Sequence, residues 1–161
     1  TQLGRIEYAL NGGRINTDFI DNSAGVDCSD HEVNIKILLN DIVAKNKMTS
    51  SQRNALLQKM TDEVADLVLQ NNYHQNQAIS LASFNSLPRM NLYIRYLEAQ
   101  EQEGKIDRSL EFLPDTKTML ERKASGQGLT RPELSVLLAY SKIILEEYIR
   151  KSSLVTDPCF V

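Results

Sequence analysis

Apolar residues recur at helical spacing along most of this chain. The clearest stripe lies near the C-terminal end, at the positions Leu134, Leu137, Leu138, Ser141, Ile144 and Tyr148. Mostly apolar side chains three or four residues apart give a helix one face that packs inward. Thr130-Arg131-Pro132-Glu133 directly precedes the stripe and has the spacing of a capping box with proline in the first turn. The pattern predicts a helix of about five turns that starts near Thr130.

Three further amphipathic helices are predicted upstream of this one. Their apolar positions are Ile35, Leu38, Leu39 and Ile42 in the first, Leu56, Leu57, Met60, Val64, Leu67 and Val68 in the second, and Leu92, Tyr93, Tyr96 and Leu97 in the third. Ser29 and Glu32 have capping-box spacing ahead of the first helix, which is therefore expected to start near Asp30. Thr49 or Ser50 can cap the second.

Asparagine and proline indicate where these helices are interrupted. Asn71-Asn72 is expected to break the second helix, because asparagine has low helix propensity, and the helical pattern resumes from Ala78 to Phe84. Pro88 suits the first turn of the third helix, where a missing amide costs nothing, and that helix is expected to run as far as Gly104. The region from Arg14 to Ile20 alone is compatible with a short strand. The predicted fold class is all-α, an irregular array of about five to seven helices with an irregular or short-strand N-terminal segment.

The tract from Gly12 to Glu32 concentrates glycines, small polar residues and carboxylates ahead of the first long helix. Functional groups are commonly carried on loops that a rigid framework holds in place, so a site is expected here. Two interpretations remain open on physical grounds. The residues can serve only turns and caps, or the helix N-terminus with the Asn22 amide and the Ser29 hydroxyl can recognise an anionic group.

Composition narrows the classes of function. The chain has 18 Lys and Arg against 21 Asp and Glu, a formal charge of -3, so no basic field favours nucleic acid as a partner. Cys28 and Cys159 lie too far apart in sequence to form a disulfide framework, and both are expected to be reduced thiols in a cytoplasmic protein. No apolar run approaches the roughly 20 residues that span a bilayer, so no membrane association is expected.

Metal and nucleotide motifs are weak. Cys28 and His31 lie among carboxylates, but a structural zinc site needs four ligands in paired spacings, so no metal site is expected. His31 is also not expected to activate Cys28 as a nucleophile. Gly126-Gln127-Gly128 follows a helical segment rather than a strand and has Arg131 at the third glycine position. It is therefore not a dinucleotide fingerprint.

Two longer motifs carry a family resemblance. The tract from Gly12 to Glu32, followed by Asn34-Ile35-Lys36-Ile37-Leu38-Leu39-Asn40, resembles the segment after the dinucleotide-binding domain in the large NAD-specific glutamate dehydrogenases of bacteria. Gly128-Leu129-Thr130-Arg131-Pro132-Glu133-Leu134, with Leu137-Leu138-Ala139-Tyr140-Ser141-Lys142, looks like a second signature of that family. The smaller hexameric glutamate dehydrogenases have the related pattern N-A-G-G-V-x-x-S-x-x-E. The present chain departs from it at Ser23 and Ala24.

The resemblance implies roles for four residues. Ser29 and Val26 would contact the glutamate side chain, with Ser29 hydrogen-bonding its distal carboxylate. Asn22 would face the cofactor, and Gly25 would lie on the cofactor side with it. The family's catalytic lysine, general-acid aspartate and Rossmann glycines lie upstream of this segment, so no catalytic residue is expected in this chain.

The resemblance also implies the reaction and the organisation. The chain begins at Thr1 rather than Met and ends on Val161, and we interpret it as a fragment of a much longer enzyme, with residues 1–28 as the active-site loop and residues 29–161 as a helical domain. Inactive alone, it would line the cleft of a homo-oligomeric enzyme that converts L-glutamate, NAD and water to 2-oxoglutarate, ammonia and NADH. The alternative hypothesis is a helical protein–protein interaction or regulatory module without catalysis.

Overall fold

The computed structural model describes residues 1–159, which form seven α-helices and a short 3-10 helix, without a strand in that range. The α-helices are α1 (Gln2–Leu10), α2 (Asp18–Asp21), α3 (Ser23–Ala44), α4 (Ser50–Phe84), α5 (Met90–Gln102), α6 (Thr116–Ala124) and α7 (Arg131–Lys151). The 3-10 helix covers Ser153–Thr156. The all-α prediction is confirmed for this range. Residues 160 and 161, the end of the predicted helical domain, lie outside the described residues.

Contacts divide the chain into two compact units. One unit contains residues 1–17 and the chain from Ala78 onward, and the other contains residues 18–77, so α4 belongs to both. The predicted division at residue 28, into an active-site loop and a helical domain, concerns function rather than contacts. That division stays a prediction.

Helix α7 supplies much of the core of the first unit. Every residue from Pro132 to Leu137 is buried, which gives this helix a first half with no solvent-facing side. The predicted capping box is confirmed, since Thr130 and Glu133 each accept a hydrogen bond from the other's backbone amide. Met90 and Leu97 of α5 and Met119 of α6 are completely buried in the same unit.

The second unit contains an antiparallel pair of helices, α3 and the first part of α4. Arg53 Nη1 donates to Asn40 Oδ1 at 3.3 Å near one end, and Asn71 Nδ2 donates to Asp27 Oδ2 at 2.9 Å near the other. The predicted cap at Thr49 is confirmed, because its hydroxyl accepts from the Gln52 amide at 3.2 Å. Across the described part of the chain, no helix combines the length and the apolar character needed to cross a bilayer.

Three local predictions are wrong. Helix α4 continues without a break through Asn71 and Asn72, because the side-chain amides of these residues bond to α3 rather than competing for their own backbone. Residues 14–17 form neither a helix nor a strand, and α2 begins at Asp18. Pro88 lies in the turn ahead of α5, whose first residue is Met90.

Candidate functional site

The candidate tract forms the start of α3. This helix begins at Ser23, and Asn22 is its N-cap residue, with no hydrogen bond from its side chain to the first-turn amides. The predicted start near Asp30 is therefore wrong, and Ser29 and Glu32 do not form a capping box. Instead, the Ser29 hydroxyl donates to the Val26 carbonyl at 2.7 Å, and Glu32 pairs with Lys36 one turn later.

Three of the four candidate residues share one exposed face of α3. Asn22, Val26 and Ser29 follow the i, i+4, i+7 spacing that aligns side chains on a helix, and all three are exposed. The same face continues through Val33 and Ile37, which are 54% and 66% exposed, compared with 62% for Val26. A polar end formed by Asn22 and Ser29 thus adjoins an apolar stripe.

Gly25 lies beside this face in the first turn of α3. Its φ is not in the left-handed region, so the backbone does not require glycine. A Cβ added there would meet only Asn22 Oδ1 within 4 Å, at 3.8 Å, which is an ordinary van der Waals distance. Packing within the chain therefore does not require a glycine here either, and the absent side chain leaves the backbone open to close approach.

The opposite side of this first turn is hydrogen-bonded to α4. Asn72 Nδ2 donates to Ser23 Oγ at 2.5 Å, and Ser23 is only 7% exposed. Asn71 donates to Asp27 one turn further along α3. Hydrogen bonds from α4 thus anchor one side of the first turns of α3, while the side that carries the candidate residues stays exposed to solvent.

The electrostatics of the segment are mildly acidic. Asp27 lies 3.8 Å from His31 Nε2, and a hydrogen bond from Lys36 lowers the pKa of the Glu32 carboxyl. Cys28 is free and exposed rather than buried. The described residues contain no group of three or more His, Cys, Asp and Glu side chains that could hold a metal ion.

The arrangement can bind and orient a polar ligand. Hydrogen bonds can come from the Asn22 amide and the Ser29 hydroxyl, and an apolar contact from the exposed Val26. The backbone at Gly25 is open to close approach. The first-turn amides of α3 also favour negative charge, by roughly 0.3 to 1 kcal/mol at an exposed helix end. None of these four residues can serve as a general acid or base at neutral pH, so the chemistry of the face is recognition.

The second motif, from Gly128 to Lys142, is a structural centre. Glu133 is completely buried and accepts from Arg122 Nη1 at 2.8 and 2.9 Å and from the Thr130 amide at 2.7 Å. A Cβ on Gly128 would lie 2.6 Å from Ser86 Oγ and 3.1 Å from the Leu87 amide, so only glycine fits there. These contacts explain Gly128, Thr130 and Glu133 of the motif by packing and hydrogen bonding.

Two residues that support the site were not found from the sequence. Ser23 stood out only as a departure from the hexameric pattern, and Asn72 only as half of an expected helix break. Their one available signal was a pair of asparagines inside an otherwise uninterrupted helical stretch. The bond between them joins residues 49 positions apart in the sequence, which local patterns do not reveal.

Two family models match the chain. The model described as "Bacterial NAD-glutamate dehydrogenase, catalytic domain" matches residues 1–82, which include the whole candidate face. The model described as "Glutamate dehydrogenase, C-terminal" matches residues 126–161.

Curated relatives agree with both models. The chain is 59% identical to an NAD-specific glutamate dehydrogenase of Pseudomonas aeruginosa, 51% identical to one of Halomonas elongata and 47% identical to one of Mycobacterium tuberculosis. These alignments cover 98%, 98% and 99% of the chain but only 10% of each relative, so the chain spans a tenth of the length of the relatives it matches. No solved structure matches it with significance.

Proposed function

Because the chain belongs to the bacterial NAD-glutamate dehydrogenase family, we propose that it forms part of the substrate and cofactor cleft of an NAD-dependent glutamate dehydrogenase. The reaction would be the oxidative deamination of L-glutamate, in which L-glutamate, NAD and water give 2-oxoglutarate, ammonia and NADH. The hydride leaves the substrate's α-carbon, and NAD supplies the acceptor for it. The observation that carries the proposal is the exposed face of α3 that presents Asn22, Val26 and Ser29 within the segment matched by the catalytic-domain model.

On this proposal, Ser29 and Val26 bind the substrate. The Ser29 hydroxyl rotates from the Val26 carbonyl and donates its single proton to the distal carboxylate of glutamate. The Val26 side chain packs against the methylene groups of the substrate.

Asn22 and Gly25 would face NAD. The Asn22 side chain does not cap the helix and offers both a donor and an acceptor, and Gly25 has room for close approach of a ligand. These features fit a dinucleotide that meets the backbone at van der Waals distance. Most of the NAD site, the catalytic lysine and the general-acid aspartate would belong to other parts of a longer enzyme, which we propose to be a cytoplasmic homo-oligomer.

The hypothesis of a helical interaction module without catalysis finds no support among the relatives. All three named above are NAD-specific glutamate dehydrogenases.

Substitution of Ser29 tests the proposal. In the full-length enzyme, Ser29→Ala should raise the KM for glutamate by roughly tenfold to a hundredfold, because a hydrogen bond to a charged group contributes about 1.5 to 3 kcal/mol. The KM for NAD should change by less. Steady-state rates of NAD reduction, with each substrate varied in turn, give both constants. Equal effects on the two KM values would contradict the substrate role of Ser29, and a wild-type enzyme that shows no glutamate-dependent NAD reduction would overturn the proposed function.

A further inference from the structure

We propose that Asn72 is a positioning residue for the substrate and cofactor face, acting through Ser23. The inference rests on the proposed function, because it concerns how the face of α3 is held for binding. Asn72 touches none of the four candidate residues in any hydrogen bond described above. Its effect passes through the backbone of the residue next to Asn22.

The contact between the two side chains is partly shielded from solvent. Asn72 Nδ2 donates to Ser23 Oγ at 2.5 Å, and Ser23 is 7% exposed in a chain where its neighbours Asn22 and Gly25 are exposed. A buried hydroxyl that loses its partner is costly, because desolvation is no longer compensated. The bond therefore fixes Ser23, and with it the direction in which α3 starts.

The amide of Asn72 is itself oriented. Asn76 Nδ2 donates to the Asn72 carbonyl oxygen at 3.1 Å and to Asn72 Oδ1 at 3.4 Å. The Asn72 side-chain oxygen thus faces Asn76 and its nitrogen faces Ser23. A chain of hydrogen bonds in α4 therefore supports the start of α3, and the Asn71–Asp27 bond provides a second attachment one turn along.

The bond requires a hydrogen-bonding side chain at position 23, which is Ser23 in this chain. Alanine cannot accept a hydrogen bond, whereas the Ser23 hydroxyl accepts one from Asn72. Ser23 and Asn72 therefore act as a pair, and each is expected to affect substrate and cofactor binding only when the other is present.

A double-mutant cycle in the full-length enzyme tests this coupling. Asn72→Ala and Ser23→Ala should each raise the KM for glutamate and the KM for NAD about threefold to tenfold, because the shifted helix start carries both Asn22 and Val26. We expect kcat to stay within about twofold. The double variant should be no worse than the more affected single variant, since both substitutions remove the same bond. Asn72→Asp should restore most of the affinity, because the Ser23 hydroxyl can donate to its carboxylate.

Controls separate this inference from the proposed function. Asn34→Ala removes an exposed asparagine of α3 whose side chain donates within its own helix, to the Asp30 carbonyl, and should leave both KM values unchanged. Effects of Asn72→Ala and Ser23→Ala on KM that multiply in the double variant, or an Asn72→Ala enzyme with the same KM values as Asn34→Ala, would overturn the coupling while the Ser29→Ala result still supports the proposed function. A wild-type enzyme without glutamate-dependent NAD reduction would overturn both. Should Asn72→Ala fail to fold, Ser23→Ala and Asn72→Asp decide the outcome.

Discussion

At the residue scale, substitution of Gly25 should have opposite effects on the stability of the fold and on the binding of NAD. Alanine at this position would meet only Asn22 Oδ1, at 3.8 Å, and would improve helix propensity. Gly25→Ala should therefore raise the free energy of unfolding by up to about 1 kcal/mol, while the added methyl group obstructs NAD and raises its KM severalfold. Urea denaturation and steady-state kinetics of the full-length enzyme measure the two effects. An unchanged KM for NAD would remove Gly25 from the proposed cofactor side.

At Gly128, in contrast to Gly25, an alanine would not fit into the folded chain. A Cβ there would approach the Leu87 amide nitrogen to 3.1 Å and the Ser86 side chain still more closely. The two glycines look alike in sequence, because each lies near a predicted helix start. Only the structure distinguishes a glycine required by packing from one that packing within the chain leaves free for a ligand.

At the scale of elements, Tyr140 joins α7 to the turn before α6. Its hydroxyl donates to Glu111 Oε1 at 2.7 Å, and this hydrogen bond, with burial and the nearby charge, raises the pKa of Tyr140 to about 12. The unfolded phenol ionises near pH 10. The native state therefore keeps a proton that the unfolded state has lost, so this contribution to stability is present below pH 10 and disappears as the pH rises through about 12.

Tyr140→Phe should flatten the fall in unfolding free energy between about pH 10 and pH 12. Urea denaturation of the chain at several alkaline pH values measures the slope. Tyr73→Phe is a matched control, because Tyr73 is 65% exposed and lies in α4. An identical slope for Tyr140→Phe and wild type would show that the Tyr140 hydroxyl keeps no such proton.

The elements also differ in how well local sequence predicts them. Of the stripe predicted to pack inward in α7, Leu134 and Leu137 are buried, but Tyr148 is 59% exposed. The start of helix α7 was predicted correctly, because its capping box is a local signal. The start of α3 was not, because Ser-x-x-Glu spacing also occurs inside a helix and the preceding small residues tolerate helical geometry. Leu38, expected on the buried face, is 61% exposed, whereas Leu39 is 6% exposed. The partners of Asn71 and Asn72 lie more than 40 residues away and leave no local trace.

At the scale of the whole molecule, the 161-residue chain should fold by itself and yet fail to catalyse. Its described residues contain buried cores of their own, so circular dichroism should report a predominantly helical protein. Its candidate face offers an amide, a hydroxyl, a valine and a glycine, which bind ligands but transfer no proton. We therefore expect no glutamate-dependent NAD reduction from this chain under conditions in which the full-length enzyme is active. Turnover by the isolated chain would mean that its own side chains complete an active site, and would contradict the division of labour proposed for the face of α3.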